Sequence, residues 1–210
     1  MSKTETFWSR QCNRAETRIR NVVGRFDNDE SGASAVEFAL LALPFLALIF
    51  AILELALIFF TASVLSHAVA DTGRLLRVGA MQGCDGPKDF KQIVCNTMNN
   101  LMGCENNLRI DVESDPSFQA VTFTTPPEID EDDPNAPVAE GNWTNTTAGD
   151  PVIVRATFYY PLMLPGQMTR LETVKGSQRH ILTATTAFRN EPFPTSTTCS
   201  QVVQDRRKTT

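Results

Sequence analysis

The most prominent feature of the chain is a long run of apolar residues near its N-terminal end. The run extends from Phe38 to Phe60 and contains 23 residues with a single charge, Glu54. At 1.5 Å per residue a helix of this length measures about 35 Å, enough to cross a hydrocarbon core of about 30 Å. The pattern therefore predicts one helix that spans a lipid bilayer.

Beyond the apolar run the pattern becomes that of an amphipathic helix. Four positions recur at the spacing of one helical stripe, and they are Leu65, Val69, Thr72 and Leu76. On another face, Asp71 and Arg74 are spaced so that they can pair. We expect the membrane helix to continue through this segment and to end at a glycine, Gly79 or Gly83.

The rest of the chain alternates between short helical and strand-like patterns. A helix is expected over 88–101, and strands over 108–113, 152–160 and 180–188, with 117–124 as a hairpin partner of the first strand. In 108–113 apolar and charged residues alternate, which predicts a strand with one buried face. The predicted fold class is α+β: a long N-terminal transmembrane helix that continues into a small exported domain with an antiparallel β-sheet.

These patterns predict a simple domain order. A cytoplasmic leader covers residues 1–32, the transmembrane and amphipathic helix covers 33–82, and the exported domain covers 83–193. Within that domain, residues 126–150 are expected to form a flexible loop, whose acidic run at 130–133 could bind calcium but is more typical of a solvated loop. Residues 194–210 are read as a disordered tail, apart from Cys199.

Charge sets the expected orientation and excludes one class of partner. A net charge of −5 argues against binding nucleic acid, which would normally require a basic surface. Basic residues are more frequent before the apolar run, at Arg14, Arg18, Arg20 and Arg25, than just after it, at Arg74 and Arg77. Because cytoplasmic flanks are enriched in Lys and Arg, the leader is expected inside and the domain outside.

Three interpretations of the apolar helix compete. A cleaved secretory signal would be cut near Ala68-Val69-Ala70, but its apolar run is too long and its preceding segment too large for that class. An uncleaved signal anchor is the second interpretation. The third interpretation depends on Gly32, Ala33 and Glu37, which lie just before the apolar run. These residues resemble the type IV prepilin processing signature.

That resemblance implies a cut by a prepilin peptidase between Gly32 and Ala33, which would make Glu37 the fifth mature residue. Gly32 would let the backbone extend into a protease cleft without a side-chain clash. Glu37 would be costly to bury at the edge of lipid without a partner. In pilin assemblies that partner is thought to be the N-terminal ammonium of a neighbouring subunit.

The opening segment from Gly32 to Pro44 is similar to that of the TadE/TadG-like family, minor pilin-like components of the tight-adherence (Flp) pilus apparatus of bacteria. Further similar blocks follow at Gly73–Gly79, at Phe90 with Cys95 and Cys104, at Val152–Pro161 and at Thr183–Phe193. At 210 residues the chain lacks room for the von Willebrand-type domain of longer TadG members, so the TadE-like subgroup fits better. The resemblance implies a pilin-like architecture and, as partners, other pilins, pseudopilins and the assembly machinery of the inner membrane.

Two residues inside the apolar run are unusual for a membrane helix. Pro44 removes the hydrogen bond to the carbonyl of Leu40 and is expected to bend the helix. Glu54 is a carboxyl group deep in the run, where it is costly unless neutral or partnered. We expect a protein partner, from a helix of another subunit, and we read Glu37, Pro44 and Glu54 together as assembly residues.

The cysteines are consistent with export. Cys84, Cys95, Cys104 and Cys199 all follow the apolar run and form an even set on the expected oxidising side. Four cysteines allow three pairings, and we favour Cys95–Cys104, which closes a short turn, with Cys84–Cys199 fixing the tail. Their spacing lacks the close pairs typical of zinc sites, so no metal ligand is predicted.

No motif in the sequence predicts catalysis. The two histidines, His67 and His180, lack metal spacing and a neighbouring nucleophile motif, and we expect no catalytic residue and no cofactor. Two functions from different classes remain. The chain is either a minor pilin or pseudopilin for pilus assembly, processed after Gly32, or a permanently anchored periplasmic domain that holds a partner of an envelope complex.

Overall fold

The computed structural model describes residues 30–114, 138–165, 169–173, 176–194 and 198–208. The predicted leader up to residue 29, the expected hairpin strand 117–124 and the acidic run 130–133 lie outside the described residues. The elements are α1 (Glu30–Arg77), α2 (Gly86–Thr97), α3 (Cys104–Asn107), β1 (Leu108–Ser114), β2 (Pro151–Pro161), β3 (Arg179–Arg189) and α4 (Gln201–Lys208).

The chain divides into two compact units, Met1–Phe50 and Ala51–Thr210, and α1 contributes to both. In the first unit, the described side chains of α1 from Ser34 onward are exposed, apart from two that are half-buried. The second unit contains the remaining part of α1, the sheet and the shorter helices. The predicted α+β class, a long apolar helix followed by a small antiparallel sheet, is confirmed.

Within the second unit, α1 packs one stripe of side chains into the hydrophobic core. The four stripe residues predicted from the spacing, Leu65, Val69, Thr72 and Leu76, are all buried. They join the same core cluster as side chains of α2 and the sheet. The amphipathic continuation of the helix is therefore a core element of the domain.

α1 ends in a C-capping motif that contains Gly79. The N–H of Ala80 donates to the carbonyl of Leu75, and the N–H of Gly79 donates to that of Leu76, which is the bond pair of a Schellman motif. Gly79 has a φ of 74°, and a Cβ there would lie 2.4 Å from the ring of Phe193. The sequence offered two glycines for this end, and the helix stops at the first.

The three strands form an antiparallel sheet in the order β1-β2-β3. The register places Ile110 opposite Ala156 and Ala156 opposite Ala184, so that apolar side chains of all three strands share one face. Each strand extends slightly beyond its predicted range. The helix predicted over 88–101 is found as α2, which begins two residues earlier and ends four residues sooner.

β1 differs from the expected half-buried strand because its charged face is also covered. Arg109 and Asp111 are only 6% and 0% exposed. The segment after residue 138 lies along the edge of β1, where Val112 N–H donates to Asn142 and Thr144 N–H donates to Val112. Gly141 allows this approach, since a Cβ there would lie 1.9 Å from a carbonyl oxygen of β1.

The expectation of a disordered C-terminal tail is wrong for residues 201–208, which form α4. Val203 is fully buried in the domain core. The side-chain amide of Asn96 in α2 donates to the carbonyls of Arg206 and Arg207, which satisfies two carbonyl groups at the end of α4. Composition alone suggested a solvated segment, but a single apolar side chain and several polar contacts hold it.

Candidate functional site

The predicted processing segment lies at the start of α1. The helix begins at Glu30, so the backbone of Gly32 and Ala33 is helical. Glu37, one turn after Ala33, is exposed. Because residues four apart share one face of a helix, position 33 and Glu37 lie on the same side of α1.

The middle of α1 presents a continuous apolar surface. The helix continues through Pro44, and the bend expected there stays a prediction. Large apolar side chains are exposed along the whole run, for example Phe38 at 73%, Leu43 at 72% and Phe59 at 65%. Among the described residues one helix, Ser34–Arg77, is long and apolar enough to cross a bilayer, with a mean hydropathy of 2.7 in its most apolar part.

An exposed surface of this composition is unstable in water and stable in lipid. Burial of apolar area contributes about 25 cal/mol per Å², and here the protein buries little of it. The helix therefore fits single-pass membrane anchoring.

Glu54 interrupts the apolar surface and is itself buried, with 2% exposure. Its Oε1 atom accepts hydrogen bonds from the backbone N–H groups of Met163, at 2.5 Å, and Leu164, at 3.2 Å. Its Oε2 atom is also buried and has no hydrogen-bond partner among the described residues. The β2–β3 connection of the same chain supplies both donors, and the expected partner on another subunit's helix stays a prediction.

The structure joins the four cysteines that follow the apolar run in the two favoured pairs. Cys95 and Cys104 form a disulfide with a Cα–Cα distance of 5.5 Å, which connects α2 to α3. Cys84 and Cys199 form the second, at 4.5 Å, which ties the segment before α4 to the segment before α2.

Asp89 lies beside the second disulfide. Its carboxylate oxygen lies within 4.8 Å of both sulfur atoms, a spacing that would suit a metal ion. Because the sulfurs are bonded to each other, they are unavailable as thiolate ligands. The Asp89 carboxylate instead accepts from Arg207 at 2.9 Å and from the backbone N–H of Asp85 at 3.1 Å.

Two ion pairs attach α4 to the rest of the domain. Arg207 pairs with Asp89 of α2, and Arg206 pairs with Asp71 of α1. Asp71 thus uses a partner far away in sequence instead of Arg74, which the helical spacing had suggested. Together with Cys84–Cys199 these pairs hold α4 against both longer helices.

A buried charged cluster lies on the second face of the sheet. Asp111 accepts two bonds from Arg109, at 2.8 and 3.1 Å, and lies 3.4 Å from a guanidinium nitrogen of Arg155 on the neighbouring strand. The backbone N–H of Asn142 adds a further bond to Asp111 at 3.0 Å. Because Asp111 accepts from both Arg109 and Asn142, it fixes the position of the segment along the edge of β1.

Burial shifts the pKa values of three ionisable groups in the described part of the domain. It raises the pKa of Tyr160 above 10.0, and the nearby Glu54 carboxylate raises that pKa further. Burial also raises the pKa of Tyr159, partly opposed by Arg109. Burial lowers the pKa of Lys91, partly offset by Glu140 and Glu105. None of these groups forms an acid–base pair with a nucleophile in the described part of the chain.

The predicted site residues therefore fall into two groups. Glu37 and Pro44 lie on the exposed apolar part of α1, while Glu54 and the four paired cysteines belong to the α+β domain. The contacts of Glu54, Asp71 and Asp89 were missed because their partners lie more than 100 residues away in sequence.

These features define a class of protein: a chain with one candidate membrane helix that continues into a small, disulfide-linked α+β domain. Residues 32–74 match the family model described as TadE-like protein. The resemblance seen in the sequence is thereby confirmed over about a fifth of the chain. The matched segment contains Gly32, Ala33, Glu37, Pro44 and Glu54, whereas the similar blocks beyond Gly79 lie outside it. Comparisons with curated proteins and with solved structures find no match.

Proposed function

We propose that this chain is a minor pilin or pseudopilin-like structural protein of a Flp (tight-adherence) pilus system. The single observation that carries the proposal is the TadE-like match over 32–74. This match extends from the start of the apolar helix to the part of α1 that packs in the domain. In this role the chain does no chemistry. It contributes an apolar helix for packing and a folded domain for contacts outside the membrane.

The proposed location follows from the same features. α1 crosses the inner membrane of a bacterium once, with the leader in the cytoplasm and the domain in the periplasm. The two disulfides support this orientation, because disulfides persist on the oxidising side of a membrane. From this position the helix can be extracted from the bilayer into a filament.

Processing by a prepilin peptidase between Gly32 and Ala33 is the first step of the proposed function. The helix at this position must open, because proteases bind their substrates in extended form. Gly32 favours that opening, since glycine destabilises a helix by about 1 kcal/mol relative to alanine. Cleavage leaves an ammonium group on Ala33 at the start of a helix.

Glu37 is proposed to pair with that ammonium group on a neighbouring subunit. The N-terminal end of a helix already carries a partial positive charge. An additional ammonium group at this end therefore requires an anionic partner when it is buried away from water. Between Ala33 and Leu53 the chain offers one carboxylate, Glu37. Its exposed position in α1 leaves it accessible to a second subunit.

Two variants separate processing from assembly. In Gly32→Val the bulky side chain should block the peptidase, so the full-length chain accumulates on a gel. Glu37→Gln should be processed normally but should lower piliation, because breaking a buried charged pair typically costs about 3–5 kcal/mol. Both variants are compared with Gly24→Val, which changes the other glycine of the leader and should behave as wild type.

The outcomes distinguish the candidate functions. Normal processing of Gly32→Val contradicts the peptidase site and leaves the alternative, a permanently anchored periplasmic scaffold domain. If processing stops while piliation and adherence are unchanged, the chain is a processed TadE-like protein without the proposed assembly role.

A further inference from the structure

The connection between β2 and β3 carries an apolar tip, residues 161–165, with the sequence Pro-Leu-Met-Leu-Pro. Leu162 is buried, but Met163, the middle residue of this segment, is 67% exposed. No charged residue occurs between Ala156 and Thr169. A water-exposed turn of this length usually contains polar residues, so the composition of the tip indicates a different environment.

The tip lies against α1 inside the apolar run. Glu54, the acceptor for the N–H groups of Met163 and Leu164, precedes the end of the run at Phe60 by six residues. At 1.5 Å per residue this distance corresponds to about 9 Å along the helix. Exposed apolar side chains of α1 occupy the positions around and beyond Glu54: Leu53 at 53%, Leu55 at 41%, Phe59 at 65% and Phe60 at 59%.

The N–H groups of the tip are all paired within the chain or absent. Pro161 and Pro165 have no N–H group, and each of the three residues between them donates its N–H within the chain. Leu162 donates to the carbonyl of Gln178 at 2.9 Å, while Met163 and Leu164 donate to Glu54. In lipid an unpaired N–H costs several kcal/mol, so irregular backbone is tolerated there only when its polar groups are satisfied.

We propose that the tip, residues 161–165, is a second membrane contact, inserted into the interfacial layer of the bilayer that α1 spans. Met163 supplies the inserted side chain, and Glu54 holds the tip against α1 with its N–H groups paired. Apolar groups of peripheral segments typically enter about 5–10 Å below the headgroups, which agrees with the position of the tip along α1. The bilayer is favoured as the occupant because Glu54, which holds the tip, lies between the exposed apolar residues Leu53 and Leu55 of α1.

The proposal requires that α1 crosses the bilayer, but it is independent of cleavage at Gly32 and of pilus assembly. The fixed contact would set the orientation of the domain on the membrane surface. A single helix alone would leave the domain free to tilt.

The test uses the full-length chain in phosphatidylcholine–phosphatidylglycerol vesicles, with and without lipids brominated near the headgroup. Met163→Trp adds a fluorophore at the tip, and Val202→Trp adds one at an exposed apolar position of α4, which is 51% exposed in the native chain. The fluorescence added at 163 should be largely lost with brominated lipid, and that added at 202 should be unchanged.

Three outcomes overturn the proposal. Fluorescence at 163 that is unquenched shows that the tip stays in water. An emission that is blue-shifted but unquenched shows that another copy of the chain covers the tip. Equal quenching at 163 and 202 shows that the domain contacts lipid without a specific tip.

A second pair of variants tests Glu54 as the positioning residue. In Glu54→Leu the amide hydrogens of Met163 and Leu164 should exchange about tenfold to a hundredfold faster, because a bond to a charged acceptor contributes about 1.5–3 kcal/mol. Glu54→Gln keeps an acceptor oxygen and should retain most of the protection. Unchanged exchange in Glu54→Leu contradicts the proposed role of Glu54, whatever the fluorescence result.

Discussion

Both parts of α1 supply large apolar side chains, but these side chains have opposite environments. Before Glu54 the large side chains, such as Leu43 and Leu46, are exposed in the described part of the chain. From Ile58 to Leu76 one stripe is buried by the sheet and the shorter helices. A single continuous helix thus combines an exposed apolar part that fits membrane anchoring with a part that belongs to the core of the domain.

The difference shows that hydrophobicity by itself does not define the role of a helix. In the second part apolar residues recur at every third or fourth position along one stripe, and this face of the helix packs on the domain. In the first part apolar residues surround the helix, which is the pattern of a segment in lipid. Glu54 marks the change, because it is the first side chain of α1 in the second unit that is buried by the domain.

The largest expected effect is the loss of the Cys84–Cys199 disulfide, which supports only the folded part. In Cys84→Ala/Cys199→Ala the free energy of unfolding of the domain should fall by roughly 5 kcal/mol, because the disulfide closes a loop with a sequence separation of 115. Membrane association should be unchanged. Denaturant unfolding of the protein in non-ionic detergent, followed by circular dichroism, measures the first quantity, and membrane fractionation measures the second.

The matched control is Cys95→Ala/Cys104→Ala, whose disulfide has a sequence separation of 9. A disulfide restricts the unfolded chain less when the loop that it closes is shorter, so the loss in the free energy of unfolding is expected to be roughly 2.6 kcal/mol. Equal losses in the two double variants would contradict an effect of loop length on the unfolded chain. The stabilisation by each disulfide would then come from packing around it.

A smaller effect compares one leucine from each part of α1. Leu65 is 1% exposed in the core, so Leu65→Ala should lower the free energy of unfolding by about 2–5 kcal/mol. Leu46, which is 49% exposed, should tolerate the same change with a loss below about 0.5 kcal/mol in detergent. The comparison fails if both variants unfold at the same denaturant concentration.

The smallest effect concerns the pH dependence of the stability of the domain. The chain has two tyrosines, and burial raises the pKa of both above 10.0. Above pH 10 the unfolded chain therefore loses phenol protons that the folded chain keeps. The free energy of unfolding should decrease as pH rises from about 10 through the folded pKa values.

Near-ultraviolet absorbance of the phenolate measures this shift in the native protein and in denaturant. Because Glu54 contributes to the raised pKa of Tyr160, Glu54→Gln should lower the native midpoint, whereas Glu37→Gln should leave it unchanged. A native midpoint at or below 10 would contradict the burial of the two phenols. Lys91 acts in the opposite direction, since its lowered pKa makes stability rise with pH below about 10.5.

The helix, the strands and their class were predictable because their signals are local. The spacing of Leu65, Val69, Thr72 and Leu76 reports one helix face directly, and the alternation in 108–113 reports a strand. The two favoured disulfides were predicted from the expected oxidising compartment and from the short sequence separation of Cys95 and Cys104. These features need no knowledge of distant residues.

The remaining features depend on contacts across the fold. Arg109 and Asp111 were assigned to a solvent face because alternation cannot show that residues near Gly141 cover it. The segment Gln201–Lys208 has one strongly buried side chain, Val203, so its polar composition resembled a tail. Glu54 stood alone in an apolar run, and its donors lie 109 and 110 residues further along the chain.

The central claim, that the chain is a processed pilin-like protein, is tested most directly by the N-terminal residue of the wild-type protein isolated from its native membrane. The account predicts a mature chain that begins at Ala33, measured by intact mass and N-terminal sequencing. A chain that begins at Met1, or at Asp71 after the signal-like Ala68-Val69-Ala70, would contradict it.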